Sequence, residues 1–540
     1  MLEAVTRRYA NKLIHAKAAM CLIAAAVISE IVSANPDPAP RKITTPLFSV
    51  EQAATALLAT GIAPSTVAVE RQVVSITPAT VAALLKDRAA EFSVDLPGMG
   101  HITIDIHRHI QHSGGEVGLI GSVRGAERSR VVLEIGEGLL IGDIIRGLDM
   151  VQIRQVPEGS FSMLGESAAG FHLVQSVREQ AGARCGNTIH NVAVPSTNRP
   201  ATPSTWGGNG SDRHDHDGDD DAGTRSPFID IMIVYTDGAR AAIGSAGAAR
   251  LLGHLTIDTA NAIYADSDID HRMRMARMYE VDYDEAGLTH NDHLAAIRIT
   301  DDDIIDGVHT VREQVGADIV SFLINDLDSG AGCGTCLTYG LGYRPSTEST
   351  SNAYLGFHTC HWENMATPTW SMPHEAGHNM GAYHDDLQIP DDNDGDGTPD
   401  WVASYGCGHY WNNSSGTRER TIMGRNALGG TRIPYFSNPA IEFNGLDTGD
   451  ATHDCSRMFD EVSDTISDYV TASSTTQYVD TNWTGSENGS LSNPWNTLYE
   501  GYINVRWGGT VIMINCEDDG MSGPIRRMLI KSTSGSSVFR

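Results

Sequence analysis

Two rhythms of apolar and polar residues run along this chain, and they change at identifiable points. "SVEQAATALLA" (49–59) and "TPATVAALLKDRAAEF" (77–92) space their apolar positions helically. "HITIDIHRHIQ" (101–111), "EVGLIGSV" (116–123), "RVVLEIG" (130–136) and "MVQIRQV" (150–156) alternate apolar and polar residues, and turns such as "SGGE" and "GEG" divide them into predicted strands. From 228 the texture is different. "FIDIMIVYT" (228–236) is a buried strand, and "DGARAAIGSAGAARLLGHLTIDTANAIYADSDI" (237–269) has helical spacing. A strand at "RMRMARMYEVDY" (272–283), a helix at "DIIDGVHTVREQVG" (303–316) and strands at "ADIVSFLIND" (317–326) and "AYLGFH" (353–358) follow. Strands alternating with helices predict an α/β layered unit.

Breaks in this pattern set the domain boundaries. The run "AAMCLIAAAVI" (18–28) follows Arg7, Arg8, Lys12 and Lys17 and precedes the small residues "VSA", which predicts an export signal over 1–34. It is too short to span a bilayer, so no stable membrane insertion is expected. A β-rich unit over 35–196 with no catalytic constellation, placed between a signal and an α/β unit, is most simply a pro-domain. Residues 197–226 are a Pro-, Gly- and Asp-rich acidic linker, the kind of segment where proteolytic nicking concentrates. The α/β unit then covers 227–471. Beyond it, 472–540 is rich in Gly, Asn and Ser and ends on "TVIMI" and "RRMLIKS". That style resembles the start of a right-handed parallel β-helix, with a small β-rich accessory domain as the other reading.

Charge and cysteines narrow the function classes. The net charge of −30 argues against nucleic acid as a partner and favours cations. Eight cysteines suit an exported chain, and five of them between 333 and 455 suggest structural disulfides there. "CGTC" (333–336) is readable as a redox pair, but no thioredoxin-like pattern surrounds it.

The densest chemistry is "HEAGHNMGAYHD" (374–385). His374 and His378 are four residues apart, so on a helix both imidazoles share one face. Glu375 stands beside the first. Gly381 can take the left-handed conformation that ends a helix and returns His384 to the same place. Three protein ligands with a fourth position left for water describe a catalytic zinc site. A helix that happens to carry two histidines is the alternative, but a chance match to all six specified positions has odds on the order of one in a million.

On these residues the chain resembles the metzincin zinc peptidases, whose motif is H-E-x-x-H-x-x-G-x-x-H followed by a Met-turn. "TIMG" (421–424) supplies Met423 in the Met-turn position. Asp385, directly after the third histidine, looks like the bacterial reprolysin/adamalysin branch. The resemblance implies an α/β (α+β) catalytic domain with a twisted, mostly parallel sheet and an active-site helix. It implies Zn2+ on His374, His378 and His384, and Glu375 as general base. It also implies protein or peptide substrates held by β-addition to the strand near 353–358, with Pro434, Tyr435 and Phe436 of "RIPYFSNP" (432–439) lining the specificity pocket. Arg425 stands where astacins have their switch tyrosine, so that switch is expected to be absent.

Two further features sit near this motif. Cys185, in "ARCGN", is similar to the matrixin pro-domain cysteine that occupies the open zinc position, although the flanking Pro and downstream Asp are missing; a disulfide or a buried thiol are the other readings. Asp392, Asp394, Asp396 and Asp400 in "DDNDGDGTPDW" match the start of a D-x-D-x-D-G calcium loop, but Ala403 stands where an EF-hand needs Glu, so Ca2+ binding there is weighed against a plain acidic loop. The whole predicts a secreted zinc endopeptidase made as a latent precursor. The rival is a surface adhesin or glycan-binding protein working through its C-terminal region and carrying a degenerate metzincin domain.

Overall fold

The computed structural model describes residues 41–51, 67–86, 90–112, 115–157, 171–179, 184–185, 228–326, 338–384, 401–424, 429–471, 476–480, 482–485, 487, 489–497, 501, 510–513 and 529–532. The signal, the linker, Asp385, Cys333, Cys336, Cys516 and all four aspartates of the expected calcium loop lie outside these residues; of the expected helix over 49–59, Ser49 and Val50 belong to a strand instead and 52–59 lie outside.

The N-terminal unit is built on ten strands: β1 (Arg41–Ile43), β2 (Phe48–Val50), β3 (Ala68–Ile76), β4 (Ala90–Leu96), β5 (Gly100–Gln111), β6 (Val117–Val123), β7 (Ser129–Gly136), β8 (Leu139–Arg146), β9 (Asp149–Gln155) and β10 (Phe171–Val177). One helix, α1 (Pro78–Lys86), lies between β3 and β4. Its predicted continuation fails at "AEF", which joins β4 because Ala90, Phe92 and Val94 alternate into the core. The sheet order is β1-β4-β5-β6-β7-β8-β9-β10-β3-β2, and every pair except β1 with β4 is antiparallel. Tight turns allow this meander: Gly125, Gly138 and Gly147, all at positive φ, stand in the connections after β6, β7 and β8. Leu84, Phe92, Ile104, Leu119, Leu133, Leu140 and Ile153 fill the core beneath α1.

The second unit holds a six-stranded sheet with order β11-β15-β16-β14-β12-β13. Its strands are β11 (Arg184–Cys185), β12 (Phe228–Thr236), β13 (Arg272–Val281), β14 (Ile319–Ile324), β15 (Thr338–Gly342) and β16 (Phe357–His361). Helices α2 (Asp237–Ile243) and α3 (Ala246–Asp266) split the long helical stretch at Gly244, whose φ of 122° ends one helix before Ser245 caps the next. Then come α4 (His290–Arg298), α5 (Gly307–Val315), α6 (Ser371–Asn379) and α7 (Cys455–Ser467). Within this sheet all pairs are parallel except β15 with β16. Over the chain, however, antiparallel pairs are the majority because of the N-terminal meander, so the chain as a whole is a mixed α/β assembly.

Two expectations need correction here. "AYLGFH" is not one strand: Thr350–Leu355 is a 3₁₀ turn, and β16 begins only at Phe357. Moreover β16 is paired on both sides, to β14 and β15, so its backbone groups are committed; the strand beyond it is β15. Among the described residues Cys360, Cys407 and Cys455 are buried and no disulfide joins them, so the expected disulfides are not found there.

Toward the C-terminus, Thr476–Val479, Thr510–Met513 and Leu529–Ser532 pair in parallel and in that order. No helix among the described residues is long and apolar enough to cross a membrane.

Candidate metal centre and catalytic cleft

Helix α6 carries the centre. Every one of its residues is buried, and its C-terminus is shaped by a Schellman turn. Ala382 N donates to Gly377 O at 2.9 Å, and Gly381 N donates to His378 O at 2.8 Å. Gly381 has φ 105°, and a Cβ there would stand 2.6 Å from Val402 Cγ2, so both conformation and space call for glycine. The turn sends the chain back over the helix and brings His384 to His378.

The three rings converge. His374 and His378 lie 4.8 Å apart by centroid, His374 and His384 5.2 Å, and His378 and His384 4.6 Å. His378 Nε2 and His384 Nε2 are 3.1 Å apart. Two nitrogens bound to one zinc at ~2.0–2.1 Å would be separated by about 3.3 Å. The tautomers agree with this arrangement. His374 Nδ1–H donates to Ile422 O at 2.7 Å and His378 Nδ1–H to Ala382 O at 2.8 Å, which leaves each Nε2 lone pair for the shared point. His374 Nε2 is buried without a hydrogen-bond partner. Burial holds the His374 imidazole well below its usual range, with Arg432 and the other two histidines acting in the same direction, so it is neutral and able to ligate. A buried orphan nitrogen, a neutral His374 imidazole and a nitrogen spacing of this size fit Zn2+.

The floor is formed by Met423, which is fully buried; a Cβ on Gly377 would sit 2.8 Å from its Sδ. Gly424 N closes the turn onto Thr421 O at 3.0 Å. The opposite wall is β15. A Cβ on Gly340 would lie 2.5 Å from Glu375 Oε1, so the glycine backbone runs directly against the carboxylate, and Glu375 is only 1% exposed.

Asn379, the last residue of α6, was not singled out by the motif. Its Nδ2 reaches Tyr343 O, Leu355 O and Phe357 O at 2.8–3.0 Å, and its Oδ1 accepts from His358 Nδ1 at 2.7 Å. It therefore fixes the helix end to β16 and to the end of β15. Only its place within the zinc motif could have suggested it.

Of the expected pocket residues, Phe436 is not in a cleft. It is fully buried, stacks on Tyr264 at 5.4 Å and meets Phe459 edge-on at 4.9 Å, because Ser267 Oγ accepts from its backbone N and turns the ring into the core. Pro434 and Tyr435 lie beside the Met-turn, where Tyr435 O accepts from Ile422 N at 2.8 Å.

The backbone of β11 pairs in parallel with β15, placing Arg184 opposite Thr338 and Cys185 opposite Gly340, the residue that abuts Glu375. Arg420, completely buried next to the Met-turn, is gripped by Glu179, which comes from just upstream of β11. Its Nη2 lies 2.5 Å from both carboxylate oxygens.

Comparison with known proteins places this centre. Residues 253–385 match the family model of reprolysin-like metallo-peptidases, family M12B. A peptidyl-Asp metalloendopeptidase of Stenotrophomonas maltophilia (strain R551-3) is 33% identical over 225 residues, 42% of this chain and 48% of that protein. One from Xanthomonas campestris pv. campestris is 31% identical over 225 residues, 42% of this chain and 47% of that protein. The chain thus spans about half the length of the curated relatives it matches. Among solved structures, metalloproteinase-II from Bacteroides fragilis aligns with 60% of this chain and 89% of its own at 10% identity and a TM-score of 0.36. The matched segment, 253–385, contains the histidine triad, so the α/β unit is similar to reprolysin-like metallo-peptidases of family M12B at the centre itself.

Proposed function

We propose that this chain is the precursor of an exported zinc endopeptidase that cuts peptide bonds next to acidic residues. The observation that carries the hydrolytic reading is the convergence of His374, His378 and His384 beside a buried Glu375. Zinc, when bound, polarises the scissile carbonyl and acidifies water. Glu375 takes the proton of the attacking water and passes it to the leaving amine. An extended substrate pairs with β15, the strand that flanks Glu375. Met423 and the Schellman turn at Gly381 hold the three imidazoles in place.

The preference for acidic side chains is drawn from Arg420. A buried guanidinium held by a glutamate from outside the catalytic unit is a carboxylate receptor already filled, and Arg432 adds positive potential beside it. The relatives' names, peptidyl-Asp metalloendopeptidases, agree with a substrate carboxylate in that place. Pro434 and Tyr435 contribute the adjoining wall. In the precursor Glu179 fills the acidic subsite, the backbone of β11 lies along β15, and Cys185 is the latency ligand. The units 35–196 and 472–540 act as pro-domain and accessory β-region, and Asp392, Asp394, Asp396 and Asp400 hold Ca2+.

The test is digestion of casein and of an Asp-containing peptide by processed wild type and Glu375→Gln. Hydrolysis is expected to fall on the order of 10²–10⁴-fold with zinc content unchanged. Equal rates would overturn the reading.

A further inference from the structure

Helix α3 points Arg250, His254 and Asp258, each one turn from the next, at the N-terminal sheet. Arg250 pairs with Glu116 at 2.5 Å and with Glu137. His254 stacks on His112 with ring centroids 3.7 Å apart. Asp258 Oδ2 lies 3.6 Å from His112 Nε2, and Glu134 Oε2, from β7, lies 3.0 Å from that same nitrogen. Glu134 is fully buried and Asp258 nearly so, yet Glu134 Oε1 and Asp258 Oδ2 find no hydrogen-bond partner but each other. The backbone of Gly118 on β6 leaves a cradle between them. A Cβ there would be 2.7 Å from Asp258 Oδ2, 3.0 Å from Glu134 Oε1 and 3.1 Å from His112 Nε2.

We propose that His112, Glu134 and Asp258 form a second divalent-metal site, of zinc type, which staples the N-terminal sheet to helix α3 of the catalytic unit. One imidazole nitrogen and two carboxylate oxygens from three separate elements face one point, with all pairwise separations within 4.8 Å. The imidazole selects a first-row ion such as zinc over calcium. Two carboxylates buried against each other need a compensating cation or a shared proton. Burial pushes both acids well above the usual carboxylate range, with Glu134 further raising Asp258 and Glu116 further raising Glu134. Arg250 does not supply the cation, since its guanidinium is taken by Glu116 and Glu137. The site is separate from the three-histidine centre and independent of the peptidase reading.

The experiment uses the full chain carrying Glu375→Gln, which keeps the precursor intact. It is saturated with zinc, desalted and assayed for bound metal. The expected result is one equivalent beyond that removed by His374→Ala. Glu134→Gln combined with Asp258→Asn should lose that extra equivalent and keep the other. Gly118→Ala, which fills the cradle without changing charge, should lose it too and serves if the double variant does not fold. Chelation should lower the melting temperature of the His374→Ala chain but not of His374→Ala with Gly118→Ala. A zinc content that neither change at the seam reduces, with the carboxyl pair simply sharing a proton, would overturn the proposal.

Discussion

Gly340 of β15 and Glu375 of α6 are in direct contact: the backbone of the first runs against the carboxylate of the second. An added methyl group would meet Oε1 at 2.5 Å, Cγ at 2.7 Å and Cδ at 2.9 Å, and Glu375 is too buried to swing away. Gly340→Ala is therefore expected to cost about a hundredfold in kcat, the effect of a displacement near 1 Å on a reacting group. Zinc content should stay at the wild-type value, because no imidazole is touched. Parallel measurement of kcat and bound metal checks this; an unchanged kcat would mean that the carboxylate does not act from this position.

Much of this site is legible in the sequence, and the reasons are local. The i, i+4 pair His374 and His378 and the obligatory glycine at 381 encode their geometry within one helix and one turn. The long alternating runs of the N-terminal unit likewise announce strands, since their neighbours are adjacent hairpins. What was not legible depends on distant partners. Phe436 reads as a pocket residue until Tyr264 and Phe459 are seen to enclose it. "AYLGFH" reads as one strand until the Gly356 backbone is needed against Asp318 O and Ala353 O. Glu134 and Asp258 lie 124 positions apart and carry no motif.

Latency offers a separate prediction. The backbone of Cys185 pairs opposite Gly340, so any thiolate ligand would be delivered by a strand already seated in the cleft. The unprocessed Cys185→Ser chain is expected to hydrolyse peptide measurably where the unprocessed parent does not. Activity after complete removal of the N-terminal segment should be the same for both. No gain in the unprocessed variant would assign latency to strand occupancy alone.

Stability should respond to pH through Asp460. Burial pushes its carboxyl up to about 6; the hydrogen bond from Asp270 N–H and the Arg272 charge oppose the rise, and the Asp270 and Asp268 carboxylates add to it. The raised value means that the folded chain favours the protonated form. Its contribution to stability is thus full below the ordinary value of 3.8 and is lost as pH climbs through about 6. Asp460→Asn keeps an acceptor for Asp270 N, which Asp460 Oδ1 now binds at 2.8 Å. The variant should be more stable than the parent above pH 6, and the difference should vanish below pH ~4 in urea titrations. A constant difference across that range would refute the assignment.

The proposed acidic specificity is tested at Arg420. Its Nη1 donates to Gly424 O at 2.6 Å and its Nε to Gly430 O, so the guanidinium is oriented by the loop after the Met-turn, and Nη2 remains for the carboxylate of Glu179. When the N-terminal segment leaves, a buried cation loses its counterion, and burial together with Arg432 already pulls its pKa down to about 10. A substrate carboxylate that restores the pair is favoured, while a neutral side chain leaves the charge unmatched. In the processed enzyme, Arg420→Gln should lower kcat/KM for a peptide with Asp at the scissile position by at least ~10-fold relative to the same peptide with Asn. That ratio divides out any loss of folded enzyme, which a purely structural arginine would not alter. A preserved Asp-to-Asn ratio would place the acidic subsite elsewhere.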